Sequence, residues 1–186
     1  MQLLNTTIKD LPERVKRPNY DRDALSAGIV HIGLGNFHRA HQAWYLHRLM
    51  QHGGALDWAI IGAGVRPNDE VQRKRLKSQD YLATLIELDP ACRSTEVIGS
   101  MIDFVPVEET NGPLIAQMAD AAIRIVSLTV TEGGYYVIPG GGLDVEHADI
   151  QHDAVHIETP RTAFGAMIAA LKQRRENGAG PFTCQS

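Results

Sequence analysis

Residues 28–38 read Gly-Ile-Val-His-Ile-Gly-Leu-Gly-Asn-Phe-His, and this stretch decides the fold of the chain. The β-branched run that ends at Gly33 predicts a strand, and apolar residues at helical spacing over residues 39–51 predict a helix directly after it. In such a strand-turn-helix unit, Gly33 permits the tight turn and Gly35 lets the backbone approach a pyrophosphate group. The stretch therefore favours a nucleotide-binding α/β fold.

The rest of the chain continues the alternation of strands and helices. Gly53 and Gly54 end the first helix, and residues 58–63 supply a second strand, so that a βαβ unit is complete by residue 65. Further strands are predicted at 81–88, 96–102, 123–130 and from 181 onward, and further helices at 67–77, 111–122 and 162–175. Because connections of this length produce parallel pairing, we predict a doubly wound, mostly parallel α/β sheet. Residues 123–130 are expected to form its central strand beside the first two.

Length and composition suit one ordinary domain. The chain has 186 residues, of which 1–27 are polar and aperiodic, so we expect an arm at 1–27 that packs outside the sheet of a domain over 28–186. A net charge of −4 without a basic block gives no support for nucleic-acid binding. The absence of long apolar runs gives none for a membrane protein and predicts a cytoplasmic location. Cys92 and Cys184 are expected to be free thiols, and no metal site is predicted from the histidines.

Two segments beyond the glycine turn are candidates for the same site. After the second strand, Arg66, Asn68, Asp69 and Glu70 offer a partner for ribose hydroxyls, for which we select Asp69, whereas Arg66 would favour the 2′-phosphate of NADP. After the predicted central strand, Thr131 and Glu132 lead into two glycines that would let a ligand come near. Both segments are also compatible with solvated loops, and a lone G-x-G, here with His38 at the third glycine position, also occurs in structural turns.

Five runs together carry a resemblance to a known family: residues 32–42 (IGLGNFHRAHQ), 61–66 (IGAGVR), 79–81 (QDY), 125–135 (IVSLTVTEGGY) and 160–165 (PRTAFG). In this order they resemble the mannitol dehydrogenase family of long-chain polyol dehydrogenases and reductases, from about residue 10 to residue 183. The resemblance implies a Rossmann-like cofactor domain that binds NAD, or NADP, since a neighbouring acidic position of some members is Asn68 here.

The resemblance also implies a set of contacts with the cofactor. The residues expected to bind it are Gly33, Leu34, Gly35, Asn36, Phe37, His38, Arg39, Arg66, Asp69, Thr131 and Glu132. Members of the family continue from Pro-Phe-Thr into Ser-Cys-Asp-Asn and a helical domain with a Lys-x-x-x-x-Asn-x-x-His motif, whose lysine is the general acid/base. This chain instead reads Pro-Phe-Thr-Cys-Gln-Ser over residues 181–186. We therefore expect no catalytic residue within it, and a chain truncated before the helical substrate domain.

The expected function is that of the NAD-binding N-terminal portion of a polyol 2-dehydrogenase of the mannitol type. Such an enzyme would oxidise a sugar alcohol to a ketose with hydride transfer to NAD, and its partners would be small-molecule polyols and ketoses. The alternatives left open are a portion of a fructuronate reductase or an arabinitol dehydrogenase, and a non-catalytic dinucleotide-binding module. On either reading the chain alone is expected to be inactive towards polyols.

Overall fold

A computed structural model describes residues 3–90 and 93–186 and contains two β-sheets. The strands in chain order are β1 (Val15–Lys16), β2 (Ala27–Ile32), β3 (Ala59–Ala63), β4 (Ala83–Leu88), β5 (Arg93–Ile98), β6 (Met101–Phe104), β7 (Ile125–Leu128) and β8 (Thr183–Gln185). The helices are α1 (Asn36–Ala40), α2 (Gln42–Gln51), α3 (Asp69–Lys77), α4 (Gly112–Ala119), α5 (Ala148–Val155) and α6 (Ala163–Glu176). Short 3₁₀ helices cover Ile8–Asp10 and Glu132–Gly134.

The main sheet has the order β6-β3-β2-β7-β8, and every pairing in it is parallel. Strand β7 lies beside β2, as predicted, with Val30 opposite Val126, but the middle strand of the five is β2, and β7 lies between β2 and the edge strand β8. Because all five strands run in one direction, their carboxyl ends meet at one edge of the sheet. The doubly wound α/β architecture predicted from the sequence is therefore confirmed.

Alternation along the central strands divides the core into two layers. Val30 and Ile32 of β2 face a cluster that includes residues of α4 and α6, and both side chains are fully buried or nearly so. Ile29, on the opposite face, packs in a second cluster with residues of α2, α3 and the small sheet. Since both faces of a parallel sheet are covered, its strands carry apolar residues at consecutive positions, as the sequence of β2 does.

The second sheet has the order β1-β5-β4 and corrects two predictions. Residues 96–102 were expected to form one strand, but β5 ends at Ile98 and β6 begins at Met101, so the chain passes from the small sheet to the main one at Gly99 and Ser100. Strands β4 and β5 form an antiparallel hairpin. The arm predicted at 1–27 contributes strand β1, which pairs in parallel with β5, so part of this segment belongs to the small sheet. Short apolar runs do not reveal to which sheet a strand belongs.

Three helical regions also differ from expectation. The first predicted helix is broken at His41, whose φ of −121° and ψ of −86° separate α1 from α2. Residues 148–155, where no helix was predicted, form α5. In α6 the buried face is made of Met167, Arg174 and small residues, whereas the apolar Ile168 is 57% exposed. Small residues add little to the hydrophobic periodicity of a sequence, although they allow helices to pack closely. The buried face of α6 was therefore difficult to predict.

Two remaining observations concern thiols and membrane spans. Cys184 is an exposed free thiol at the edge strand β8, and Cys92 lies outside the described residues. Within residues 3–90 and 93–186, no helix has the length and apolar character needed to cross a membrane.

Candidate functional site

A cleft of about 670 Å³ opens at the carboxyl ends of β2, β3 and β7. Its size lies in the range of small-molecule and cofactor sites, and its place beyond the strand ends is where open α/β sheets bind ligands. Strand β2 is flanked by β3 on one side and β7 on the other, so the loops after these three strands converge on the cleft. One half of the cleft is formed by residues after β2 and β3, and the other half by residues after β7.

The glycine turn at the floor of the cleft has a clear physical basis. Gly33 adopts a φ of +91°, and a Cβ there would lie 2.5 Å from the carbonyl oxygen of Thr129, so this position accepts only glycine. The turn is held from both sides, because the Gly33 amide donates to the Ala63 carbonyl at 3.0 Å and the Thr129 hydroxyl donates to the Gly33 carbonyl at 3.0 Å. Gly33 thus fixes the path of the chain between two neighbouring strands.

Gly35 differs from Gly33 in what surrounds it. A Cβ at Gly35 would meet nothing nearer than the Gly33 carbonyl oxygen at 3.9 Å, so the absence of a side chain leaves open space in the cleft rather than relieving a clash. Gly35 immediately precedes α1, whose first backbone N–H groups have no partner within the helix. A ligand can therefore approach these amides closely over Gly35.

The residues of the turn separate into two groups. Leu34, Asn36 and Arg39 line the cleft together with the glycines. Phe37 and His38 do not, which corrects the expectation for their side chains. Because positions three apart share a helix face, Asn36 and Arg39 point to one side and the two residues between them point elsewhere. Phe37 is 66% exposed, and His38 is buried against the sheet. Neither side chain therefore lines this cleft.

His38 is instead part of a buried pair of histidines beneath α1. Its ring stacks on that of His31 with a centroid distance of 3.6 Å, and both residues are at most 1% exposed. His31 is held by two hydroxyls, with Nδ1 2.8 Å from Ser127 Oγ and Nε2 2.9 Å from Thr129 Oγ1. Burial lowers the pKa of His31 to about 4, and burial with the nearby charges of His31 and Arg39 lowers the pKa of His38 to about 2. Both rings are therefore neutral at pH 7.

Asp69 lies at the start of α3 and lines the cleft as predicted. Its Oδ2 accepts hydrogen bonds from the amides of Val65 at 3.0 Å and Arg66 at 2.9 Å, so this carboxylate also closes the turn after β3. A Cβ at Gly64 would lie 2.2 Å from Asp69 Cβ, which explains the second glycine of this segment. Asp69 is thus both a structural element of the turn and a charged group in the cleft.

Arg66 lines the cleft, and its side chain extends towards the loop after β7. One guanidinium nitrogen lies 3.8 Å from where a Cβ of Gly134 would stand, which places the side chain towards the loop after β7. In that loop Thr131 lines the cleft together with Gly133 and Gly134, whereas the exposed Glu132 does not. A Cβ at Gly133 would meet nothing within 4 Å, so this glycine, like Gly35, opens space at the cleft wall.

Several cleft residues were not found from the sequence. They are Gln72, Arg75, Phe104, Tyr136, His147, Asp149 and Arg161. The first two follow Asp69 at intervals of three residues along α3, so helical periodicity from Asp69 could have identified them. Phe104 is the last residue of β6, and the other four belong to the region 136–161, where no strand or helix had been predicted. Only the tertiary fold brings these five residues to the cleft.

The charged residues of the cleft are mostly basic. Four arginines line it, at positions 39, 66, 75 and 161, against two aspartates, at positions 69 and 149. Arg161 lies 3.6 Å from Asp149 in an ion pair, so that one arginine is partly neutralised. The cleft therefore combines open glycine backbone with a net positive charge, which suits an anionic ligand such as a dinucleotide.

Comparison with known proteins agrees with this geometry. Residues 27–186 match the family model of the mannitol dehydrogenase Rossmann domain. The chain is 58% identical over 172 residues to a mannitol 2-dehydrogenase from Cereibacter sphaeroides, covering 92% of this chain and 36% of that enzyme. It is 41% identical over 184 residues to a polyol:NADP oxidoreductase from Gluconobacter oxydans (strain 621H), covering 97% of this chain and 38% of that enzyme.

A solved structure shows the same fold. The mannitol 2-dehydrogenase of Pseudomonas fluorescens, in a ternary complex with NAD and D-mannitol, superposes with a TM-score of 0.94 at 45% identity. The match covers 99% of this chain and 38% of that one. The chain thus spans a little over a third of the length of the relatives it matches.

Proposed function

Because the chain belongs to the mannitol dehydrogenase family through its Rossmann domain, we propose that it binds NAD in the cleft above β2, β3 and β7. We propose further that it is the cofactor-binding part of a polyol 2-dehydrogenase that converts a sugar alcohol to a ketose. When bound, NAD would supply the acceptor for a hydride from the substrate carbon. The chain's own residues would hold and orient the dinucleotide.

The single observation that carries the proposal is the open backbone at Gly35. A pyrophosphate is too bulky and too charged to lie against a side chain at this point, but it fits over a glycine that faces free N–H groups. Gly35 leaves that space, and Gly33 directs the chain so that α1 begins beneath it. A glycine turn serving only the path of the chain would need the first glycine and would tolerate a side chain at the second.

The remaining cleft residues fit the two halves of a dinucleotide. Asp69, at the start of α3 after the second strand of the βαβ unit, is proposed to accept hydrogen bonds from the adenosine ribose, because its Oδ1 is not used in closing the turn. Thr131 and Gly133, after β7, are proposed to lie along the nicotinamide half. The proposal for the polyol and the ketose rests on the relatives named above, whose lengths extend well beyond the match.

Titration of NADH, followed by its fluorescence, tests the cofactor proposal. Gly35→Val should abolish or weaken binding by at least about tenfold, because the new side chain occupies the space over the amides without a clash inside the protein. Gly180→Val is the matched control, since a Cβ at Gly180 also meets nothing within 4 Å but lies outside the cleft. Gly33→Val would be a poor choice, because it strains the fold itself.

The outcomes separate the alternatives. Binding by the wild type and by Gly180→Val, but not by Gly35→Val, supports the proposal. Equal affinity of all three proteins for NADH would remove the glycine turn from the site. Loss of the thermal unfolding transition in Gly35→Val alone would show that Gly35 serves the fold, in conflict with the space around it.

A further inference from the structure

Two arginines of the cleft, Arg39 and Arg75, are left without an acidic partner. Arg39 extends from α1 and Arg75 from α3, and both line the same half of the cleft. Within the part of the chain that the structure describes, no ion pair involves either of them. Arg39 donates a hydrogen bond to Asn36 Oδ1, a neutral group that leaves its charge uncompensated. Both guanidinium-bearing residues line one cleft, and burial, together with the charge of Arg75, lowers the pKa of Arg39.

The position of this pair follows from the geometry of α3. Asp69, Gln72 and Arg75 are spaced by three residues and all face the cleft, so they form a stripe along one side of the helix. Arg75 lies about 9 Å along the helix axis from Asp69. The long side chain of Arg75 can extend towards Asp69 and bring its guanidinium group closer than this distance. The stripe therefore brings a carboxylate, an amide and a guanidinium to the half of the cleft where the adenosine ribose is proposed to lie.

Like charges that face one another in a cleft destabilise the protein unless a ligand of opposite charge joins them. Arginine is suited to phosphate because its planar donors can pair with two oxygens at once. Arg66, the residue that sequence reasoning connected with NADP, is directed towards Gly134 and the other half of the cleft. The residues placed to receive a phosphate on the adenosine ribose are thus Arg39 and Arg75.

We propose that Arg39 and Arg75, with Gln72 beside them, form a subsite for the 2′-phosphate of NADP, so that the cleft accepts NADP as well as NAD. This inference rests on the proposed function, because it places a phosphate relative to a dinucleotide in the same cleft. Asp69 acts against the subsite, since its carboxylate repels a 2′-phosphate while it accepts from a 2′-hydroxyl. With one aspartate and two arginines around the 2′ position, the site accepts both NAD and NADP and does not select strongly between them. The similarity to a polyol:NADP oxidoreductase is in keeping with this balance.

The test compares NADPH with NADH by fluorescence titration of the whole 186-residue chain. Arg75→Gln should weaken NADPH binding by about tenfold or more, because one charge-assisted contact is lost, and should change NADH binding by less than about twofold. Lys77→Gln removes a positive charge from the same helix outside the cleft, and it should change neither affinity. Arg75→Lys keeps the charge without the fork of donors and should retain part of the affinity for NADPH.

A second measurement isolates the adenosine half of the site. Adenosine 2′,5′-bisphosphate should displace bound NADH from the wild type better than 5′-AMP does, and Arg75→Gln should remove this advantage. Since Arg75 is exposed, the variant is expected to keep its fold, which its thermal unfolding transition would verify.

Each outcome bears on one of the two proposals. A wild type that binds NADH but not NADPH would overturn the subsite and leave the proposed function standing, as would equal effects of Arg75→Gln on both nucleotides. A wild type that binds neither nucleotide would overturn the proposed function, and the subsite with it. Selective loss of NADPH binding in Arg75→Gln, and its partial return in Arg75→Lys, would support the subsite.

Discussion

Replacement of Arg174 by methionine should destabilise the protein far more than replacement of its neighbour Arg175. Arg174 is only 4% exposed, although it lies in the last turn of α6, next to the exposed Arg175. Its Nη1 donates to the carbonyl oxygens of Asp120 at 2.5 Å, Ile123 at 3.1 Å and Met118 at 3.2 Å. Its Nε donates to the Gly180 carbonyl at 2.5 Å.

These four carbonyls explain why the buried charge is tolerated. Helix α4 ends at Ala119, so the oxygens of Met118 and Asp120 belong to its carboxyl end, where backbone acceptors lack partners and the helix dipole is negative. The carbonyls of Ile123 and Gly180 precede β7 and β8, the strands on which the edge of the main sheet is built. One guanidinium therefore joins a helix end to two strands.

The magnitude follows from the acceptors left unpaired. Methionine fills much of the volume but donates nothing. A buried carbonyl that loses its donor costs about 1–3 kcal/mol, so the loss of two buried bonds, to Met118 and Ile123, and of two part-buried bonds, to Asp120 and Gly180, should cost about 4 kcal/mol in all. With an unfolding entropy of roughly 2.1 cal/mol/K per residue, a chain of 186 residues should then unfold about 10 °C lower.

Differential scanning calorimetry of three proteins tests this reasoning. The wild type and Arg175→Met should unfold within about 2 °C of each other, because Arg175 is exposed on the same turn and surface substitutions have small effects. Arg174→Met should unfold well below both. If the two variants had the same unfolding temperature, the contacts of Arg174 would contribute nothing measurable, and the account of α4 given above would be wrong.

Three further outcomes are expected. Burial lowers the pKa of His31 to about 4 and that of His38 to about 2, below an unfolded value of about 6.5. The free energy of unfolding should therefore be at its full value above pH 6.5 and should fall below that pH by roughly 1.4 kcal/mol per pH unit for each histidine. Urea unfolding at pH 7 and pH 5 measures this fall, and His38→Phe should reduce its slope. Asp69→Asn, which keeps an acceptor for the amides of Val65 and Arg66, should raise the affinity for NADPH relative to NADH by about tenfold, and an unchanged ratio of dissociation constants would remove Asp69 from the ribose site. The chain alone should form no NADH from mannitol, arabinitol or related polyols, because the family's Lys-x-x-x-x-Asn-x-x-His motif does not occur in it. A polyol-dependent rise in absorbance at about 340 nm that is lost in Gly35→Val would contradict this expectation.

Local signals made most of the main sheet predictable. The β-branched runs at 28–33, 58–63 and 123–130 each correspond to a parallel strand, because buried strands need apolar residues on both faces and thus form short continuous runs. The glycine turn was equally visible, since only glycine adopts the conformation that Gly33 has. What the sequence could not reveal was the second sheet, because an edge hairpin and a strand of the main sheet have the same short apolar pattern.

The side chains of the site were harder to predict than its backbone. The error at His38 arose from reading a motif as a continuous contact surface, whereas a helix turns successive residues by about 100° and buries some of them. The direction of the Arg66 side chain could not be predicted either, because a long flexible side chain can reach either half of a cleft, and its direction depends on residues such as Gly134 that are distant in sequence.

In the proposed site the backbone holds the pyrophosphate, whereas side chains meet the adenosine ribose. Cofactor preference can therefore change in this family without loss of binding. The pyrophosphate is proposed to rest on Gly33, Gly35 and free amides, and Gly33 cannot be replaced without changing the path of the chain between β2 and β7. The ribose end is instead formed by a stripe on α3, and within residues 3–90 and 93–186 neither Gln72 nor Arg75 takes part in an ion pair. Substitutions along this stripe change the charge that meets the 2′ position and leave the turn intact. Preference for NAD or NADP should therefore vary among relatives at α3, while the glycine turn keeps the same sequence in those that bind either cofactor.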